Sequence, residues 1–152
     1  MPEPDDRPLS DAPDWLQLDQ QLCFALYSAS LAMTKQYKPL LDPLGLTYPQ
    51  YLAMLVLWES TPITVNELGK RLHLDSGTLT PLLKRLETSG LIHRQRDSED
   101  ERRVLVSLTP KGQQLKEQAK RIPQTMACQV GLDMQDVASL RQTLQRLRNQ
   151  IR

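Results

Sequence analysis

Two leucine-rich segments joined by a short polar turn constrain the fold of this 152-residue chain more than any other feature. They lie in TVNELGKRLHLDSGTLTPLLKRLETSGLIHRQR, which begins at Thr64. Leu68 and Leu72 give the first segment an inward face, and the second segment ends at Gly90. Apolar residues of the second segment have the i, i+3, i+4, i+7 spacing of a helix face: Leu79, Leu82, Leu83 and Leu86. The pattern predicts two short helices separated by a tight turn.

Polar residues in this stretch indicate where the two helices begin. Thr64 and Glu67 have the spacing of a capping box, in which each side chain accepts a hydrogen bond from a backbone N–H group of the other residue. For the second helix we favour Thr78 over Ser76 as the N-cap, because Pro81 then lies closer to the helix start, where a missing N–H group is tolerated.

Two strand-like runs follow the second helix. LIHRQR begins at Leu91 and VLVSLT begins at Val104, and the charged segment DSEDER separates them. Val104, Val106 and Leu108 alternate as a half-buried strand requires. Two helices, a tight turn and a charged hairpin together predict a mainly α-helical winged helix-turn-helix fold with a small β-hairpin.

This fold is typical of DNA-binding proteins, and the residue types agree. Hydroxyl and basic side chains on the second helix suit the bases and phosphates of a major groove, and arginines in the wing suit the neighbouring minor groove. Asp100 is expected to hold Arg102 in place as an internal brace. The alternative without a DNA-binding role is a helical hairpin whose polar face is only solvated. Candidate DNA-binding residues are Ser76, Thr78, Thr80, Lys84, Arg85, Arg94, Arg96, Arg102 and Arg103.

Further helices are predicted on both sides of this region. One covers residues 16–38 and stops before Pro39, and another covers residues 48–59 with Thr47 as its N-cap. Thr109 caps a third, which runs to about Ile122. The last carries an apolar seam with alternating spacings of three and four, formed by Val137, Leu140, Leu144, Leu147 and Ile151.

The chain length favours one domain over residues 14–152, preceded by a flexible tail over residues 1–13. In this domain residues 46–112 form the winged helix-turn-helix lobe. We see no membrane segment and no secretion signal, so a cytoplasmic location is expected. The net charge of only +1 argues against nonspecific binding to nucleic acid, although an acidic leader masks a mildly basic body.

Cys23 is the residue with the least settled role. On a helix it lies one turn from Tyr27 and within the early turns, where the helix dipole stabilises a thiolate. Free cysteine is among the most buried residue types, so the residues alone favour packing in the core over a chemical role. No metal site or cofactor is expected, because Cys23, Cys128, His73 and His93 lack zinc-binding spacing.

The chain resembles the MarR family of bacterial winged-helix regulators through ITVNELGKRL, DSGTLTPLLKRLETSGLIHRQR and DERRVLVSLTPKG. More narrowly, QLCFALYSASLAMTKQYKPLLDPLGLTYPQYLAMLVLWE is similar to the organic hydroperoxide resistance regulators (OhrR). The similarity runs from about Leu18 to Gly112. It implies a homodimer, joined by helices in residues 14–45 and 113–152, that represses transcription from a pseudo-palindromic operator in double-stranded DNA.

The resemblance also implies that Cys23 is a peroxide sensor, which an organic hydroperoxide oxidises to a sulfenic acid. Tyrosines that match Tyr27, Tyr37 and Tyr48 are associated with the sensor pocket in this subfamily, and some reach across from the partner subunit. Some relatives form a disulfide between subunits through a second, C-terminal cysteine, and Cys128 is the candidate for this resolving role.

Two other interpretations of the sensor segment stay open. In one, the chain is a MarR-type regulator that responds to a non-covalently bound phenolic ligand, and Cys23 is a bystander. In the other, the chain is a thiol peroxidase that consumes hydroperoxide with many turnovers. We favour a regulator over an enzyme.

Overall fold

The computed structural model describes residues 15–151, which divide into two compact units, one ending at Gln36 and the other beginning at Tyr37. The tail expected over residues 1–13 lies outside the described residues, and one domain over residues 14–152 stays a prediction. The helices are α1 Leu22–Leu41, α2 Tyr48–Glu59, α3 Val65–Leu72, α4 Ser76–Thr88, α5 Pro110–Ala119, α6 Ile122–Val130 and α7 Met134–Gln150. The strands are β1 Ile63–Thr64, β2 Ile92–Arg96 and β3 Val104–Leu108. This mainly helical architecture with a small sheet confirms the predicted fold class.

Helix α1 differs from its prediction at both ends. The segment Leu18–Gln20 forms a separate turn of 3-10 helix, so α1 begins at Leu22 and not at residue 16. At the other end α1 continues through Pro39 and ends at Leu41. Pro39 lies in the last turn, where it removes one backbone hydrogen bond, and the burial of Leu41 in the core favours continuing the helix.

The predicted caps of α2 and α5 are confirmed. The Thr47 hydroxyl accepts a hydrogen bond from the backbone N–H of Gln50, and the Gln50 side chain accepts one from the backbone of Thr47, which completes a capping box. The Thr109 hydroxyl accepts from the backbone N–H of Gly112 in the same way. At α3, the cap by Thr64 is present, but the reciprocal contact expected from the side chain of Glu67 is not part of it.

The N-cap predicted for α4 is wrong. Asp75 caps this helix, because its carboxylate accepts a hydrogen bond from the backbone N–H of Thr78 over 2.8 Å. Helix α4 therefore begins at Ser76, and Pro81 lies inside it. The proline is tolerated because the carbonyl it leaves without a partner belongs to Gly77, which is exposed to water.

The winged region forms a three-stranded antiparallel sheet in the order β1-β3-β2. Strands β2 and β3 form the predicted hairpin, with Ile92 opposite Leu108 and Arg96 opposite Val104. The two-residue strand β1 adds to the other edge of β3 and was not predicted, since two residues are too few to show an alternating pattern. Only Val106 of β3 is fully buried.

The core of the second unit is formed by α2, the leucine faces of α3 and α4, and the sheet. Its largest fully buried side chains include Met54, Leu57, Leu68, Leu79, Leu83, Leu86, Ile92 and Val106. None of the helices in residues 15–151 is both long enough and apolar enough to span a bilayer.

The C-terminal region contains one helix more than expected. Helix α5 ends at Ala119, and α6 begins at Ile122 with Pro123 in its first turn, where proline favours a new helix. Ile122 and Met126 are buried, one turn apart on α6. The predicted last helix is α7, and no residue of it is buried.

Candidate functional site

Helix α4 separates its apolar and polar side chains as the sequence predicts. The four leucines are buried, and Asp75 holds the N-terminus. The hydrogen bond from the Thr78 backbone holds the pKa of the Asp75 carboxyl below its usual range, so this cap is charged at neutral pH. The predicted DNA-binding side chains of this region are all exposed: Ser76, Thr78, Thr80, Lys84 and Arg85.

Hydrogen bonds order the tip of the wing. The backbone N–H of Asp97 donates to the carbonyl of Arg103 over 2.8 Å, and that of Arg103 donates to the carbonyl of Asp100 over 2.9 Å. The predicted contact between Asp100 and Arg102 is present: Arg102 donates to the carboxylate from Nε over 3.2 Å and from its backbone N–H over 3.1 Å. Because both hydrogen bonds end on Asp100, they restrain the Arg102 side chain between its backbone and its Nε atom.

The wing arginines differ in how far they reach into solvent. The Arg102 side chain is 92% exposed, whereas that of Arg103 is 52% exposed and lies 3.7 Å from the carboxylate of Asp97. Arg96 donates from Nη1 to the carbonyl of Glu101. The carboxylates of Asp100 and Asp97 thus accept from or lie close to arginines, so these two acids organise the wing instead of only adding negative charge.

Arg94 makes a different set of contacts from the other predicted DNA-binding residues. Its backbone N–H donates to Oε2 of Glu87 over 2.9 Å, and its Nη2 donates to Oε1 of Glu87 over 3.2 Å. Sequence reasoning missed Glu87. The available signal was an acid in the last turn of α4 and an arginine in the strand that directly follows.

Cys23 is the second residue of α1, and its thiol is exposed. It is therefore not a core residue of this chain, and the positive end of the helix dipole is close to it. Tyr27, one turn later, is 64% exposed. Apolar side chains of the same unit are exposed as well, among them Leu18, Leu22, Leu31 and Met33. Cys23 thus lies on a helix that exposes several large apolar side chains.

Three tyrosines form a cluster in the second unit. The ring centres of Tyr37 and Tyr48 are 4.7 Å apart, and that of Tyr51 lies 5.7 Å from Tyr37 and 6.3 Å from Tyr48. Burial raises the pKa of Tyr37 and of Tyr48, and burial and the two neighbouring phenols raise the pKa of Tyr51 to about 12. All three hydroxyls are therefore protonated donors at neutral pH. The family resemblance named Tyr37 and Tyr48 for the sensor pocket and did not name Tyr51, whose spacing of three from Tyr48 on α2 indicates that the two rings share a helix face.

Cys128 lies on α6, and its thiol is exposed. No helix was predicted for this segment, and the resolving role of Cys128 rests on the family resemblance alone. An exposed position on a helix excludes the alternative that Cys128 is a small buried residue of the core.

Comparison with known proteins agrees with these features. The family model for the transcriptional regulator SarA/Rot matches residues 35–119. The organic hydroperoxide resistance transcriptional regulator of Bacillus subtilis (strain 168) is 57% identical over 129 residues, which are 85% of this chain and 86% of that protein.

Two solved structures of AbfR, a protein of Staphylococcus epidermidis, are also similar. Reduced AbfR bound to DNA has a TM-score of 0.70 and 41% identity, and the match covers 86% of this chain and 93% of that chain. Disulfide-formed AbfR has a TM-score of 0.65 and 41% identity, with 86% and 91% covered.

The fold, the ordered wing and these matches define a winged-helix transcriptional regulator of the MarR and SarA type, a class of regulators and not of enzymes. Within this class the chain belongs to the organic hydroperoxide resistance regulators. The segment around Cys23 had indicated this subfamily, and the comparison confirms it.

Proposed function

We propose that two copies of this chain bind operator DNA in the cytoplasm as a repressor and release it when an organic hydroperoxide oxidises Cys23. The observation that carries the proposal is an exposed thiol at the start of a helix, among exposed apolar side chains. Such a surface admits the apolar part of an organic hydroperoxide more readily than it admits a small, hydrated peroxide.

Apolar surface at both ends of the described chain supports the proposed dimer. Helix α7 exposes the seam predicted from its sequence, including 51% of Leu140 and 37% of Leu144, and Leu22 and Leu31 are exposed on α1. Exposed apolar stripes on helices are typical of surfaces that another helix covers. A second copy of the chain supplies such helices, so α1 and α7 are the proposed dimer interface.

The DNA interface is formed by α4 and the wing of each subunit. Helix α4 enters the major groove with its exposed hydroxyl and basic side chains, and Arg102 enters the flanking minor groove together with Arg96 and Arg103. Two copies related by a twofold axis require two half-sites related in the same way, so the operator is pseudo-palindromic. The DNA-bound structure of a protein that is 41% identical supports this arrangement.

The sensing reaction begins with the thiolate of Cys23. Its sulfur attacks the terminal oxygen of the hydroperoxide, which forms the S–O bond of a sulfenic acid and breaks the O–O bond. The other oxygen leaves as an alkoxide and takes up a proton to become an alcohol. Tyr27 and the protonated hydroxyls of Tyr37 and Tyr48 are the proposed hydrogen-bond donors to the thiolate, with some of them supplied by the partner subunit.

The sulfenic acid then reacts with the thiol of Cys128 of the other subunit. The two sulfurs form a disulfide, and the hydroxyl of the sulfenic acid leaves with the thiol proton as water. Both thiols are exposed, as this step requires, and a disulfide-formed structure exists for AbfR. Because the bond forms beside the dimer interface, it rotates one winged lobe relative to the other and spoils the half-site spacing.

A direct test uses a DNA duplex that the reduced protein selects from a random-sequence pool. Fluorescence anisotropy of this duplex is followed while cumene hydroperoxide is added to the wild-type protein, to Cys23→Ser and to Cys128→Ser. We expect the wild type to release DNA and Cys23→Ser to stay bound at the same peroxide concentration. Cys128→Ser is expected to release DNA less durably, because its sulfenic acid has no resolving thiol.

Cys23→Ser that releases the duplex as readily as the wild type would contradict the redox mechanism. Release of the duplex from both proteins by a phenolic compound, without any oxidant, would instead favour a regulator that binds a non-covalent ligand.

A further inference from the structure

We propose that Glu87 is a positioning residue that fixes the wing at its working angle to α4 by holding Arg94. This inference rests on the proposed DNA-binding function, because it concerns how the two parts of one DNA interface keep their relative orientation. Neither residue needs to touch DNA for this role. Arg94 is accordingly left out of the DNA contacts proposed above.

The geometry places Glu87 at the junction of the two DNA-binding elements. It lies in the last turn of α4, and Arg94 lies in β2, which is at the edge of the three-stranded sheet. An edge strand leaves alternate backbone N–H groups without a partner strand. One carboxylate oxygen of Glu87 accepts from the backbone N–H of Arg94, and the other accepts from its guanidinium. The Glu87 side chain therefore joins α4 to both the backbone and the side chain of Arg94 in the wing.

The Arg94 side chain is turned into the protein. It is 26% exposed, against 92% for Arg102, and its Nε is buried with no hydrogen-bond partner among residues 15–151. A guanidinium that contacts a phosphate presents several donors to solvent. Arg94 instead directs Nη2 at Glu87, so the guanidinium is paired with an acid of its own chain.

The negative charge of Glu87 allows a positioning role to be distinguished from simple repulsion of DNA. An acid near a DNA interface repels phosphates, so removing its charge should strengthen binding if charge were its only effect. Hydrogen bonds from Arg94 hold the pKa of Glu87 below its usual range, which keeps it ionised at neutral pH. If Glu87 positions the wing, removing its charge weakens binding instead. Loss of repulsion and loss of positioning therefore change the affinity for DNA in opposite directions.

The experiment measures operator affinity for the wild type, Glu87→Gln, Arg94→Gln and the double variant, with the duplex selected by the reduced wild-type protein. Glu99→Gln is the matched control, because it removes one acid from the exposed wing loop without touching Arg94. We expect each single variant to bind on the order of tenfold more weakly. The double variant should bind about as weakly as either single variant, because both changes break the same contact. Glu99→Gln should bind as tightly as the wild type, or more tightly.

Two further readouts separate positioning from a general loss of stability. Hydroxyl-radical footprints of the single variants should lose protection at the flanking minor groove and keep it in the major groove beneath α4. The slope of affinity against salt concentration should be unchanged in Arg94→Gln, because no phosphate contact is lost.

Tighter binding by Glu87→Gln, additive losses in the double variant, or a salt slope reduced by about one ion in Arg94→Gln would each overturn the role of Glu87. Failure of the wild type to bind any duplex from the pool would overturn the proposed function itself, and with it this inference. Binding by the wild type thus tests the proposed function, and binding by the variants tests the role of Glu87.

Discussion

Gly112 is the residue at which a single methyl group should do the most damage to the winged lobe. It lies in the first turn of α5, where a Cβ atom would collide with the backbone carbonyl oxygen of Leu91. That oxygen already accepts a hydrogen bond from the backbone N–H of Thr109, so it is not free to move. The carbonyl of Gly112 in turn accepts a hydrogen bond from the indole Nε1 of Trp58 over 3.0 Å. Gly112→Ala must therefore displace α5 from both Leu91 and Trp58.

The expected cost follows from three contributions. Overpacking against a backbone atom costs about 3 kcal/mol, the upper end of its usual range, because no side chain can rotate away. Losing the bond from Trp58 adds about 1 kcal/mol. The better helix propensity of alanine offsets about 1 kcal/mol. We expect Gly112→Ala to lower the free energy of unfolding by about 3 kcal/mol.

Urea unfolding followed by tryptophan fluorescence measures this change, at a fixed subunit concentration because the protein is proposed to be a dimer. Gly77→Ala is the matched control: a Cβ atom there would meet only Asp75 Oδ1, at an ordinary contact distance of 3.5 Å. We expect that variant to be as stable as the wild type or more stable. Equal stability of Gly112→Ala and Gly77→Ala would refute the packing described for α5.

Three other predictions concern the tyrosine cluster and the wing. Tyr51 has a pKa of about 12 in the folded chain against 10.0 for an unperturbed tyrosine, so folding favours its neutral form. Its contribution to stability is therefore fully present below pH 10 and is lost as the pH rises towards 12, and alkaline unfolding of Tyr51→Phe should show a weaker dependence on pH in this window. Arg102→Ala should weaken operator binding and reduce its salt slope by about one ion, and equal dissociation constants at matched salt would rule out the wing contact. Asp100→Asn should weaken binding without changing the slope, because it loosens Arg102 and leaves its charge in place.

Local chemistry was the part of the fold that the sequence predicted best. Thr47 and Thr109 cap helices as expected, because a cap is a contact between residues that are close along the chain. The same rules failed at α4, where the position of Pro81 favoured Thr78 over Ser76 and Asp75, the residue that caps the helix, was not considered. A proline inside a helix is tolerated where water can reach the carbonyl that it leaves free, and this exposure is not visible in the sequence.

Contacts between distant elements were the part that the sequence did not predict. The pairing of Glu87 with Arg94 depends on how the turn after α4 returns the chain to the edge of the sheet. Tyr51 joins the cluster because α2 packs beside the end of α1 that carries Tyr37. In each case the residue types were visible in the sequence, but their partners were fixed by tertiary packing.

The interpretation of Cys23 shows a different kind of limit. Helical periodicity places it among apolar residues, and the same pattern is found in helices that face a core and in helices that face a partner subunit. Family resemblance favoured a sensor. The exposed thiol and the exposed apolar side chains around it agree with a surface that a second subunit covers, and they disagree with core packing in one chain.

The oxidation state of Cys23 in DNA-bound and released protein tests the central claim most directly. The complex with the selected duplex is treated with less than one equivalent of cumene hydroperoxide, the bound and released fractions are separated, and unreduced peptides of each are analysed by mass spectrometry. We expect reduced Cys23 in the bound fraction, and in the released fraction Cys23 as a sulfenic acid or as a disulfide with Cys128 of the partner subunit. Released protein in which Cys23 is still a reduced thiol would contradict the claim that its oxidation frees the operator.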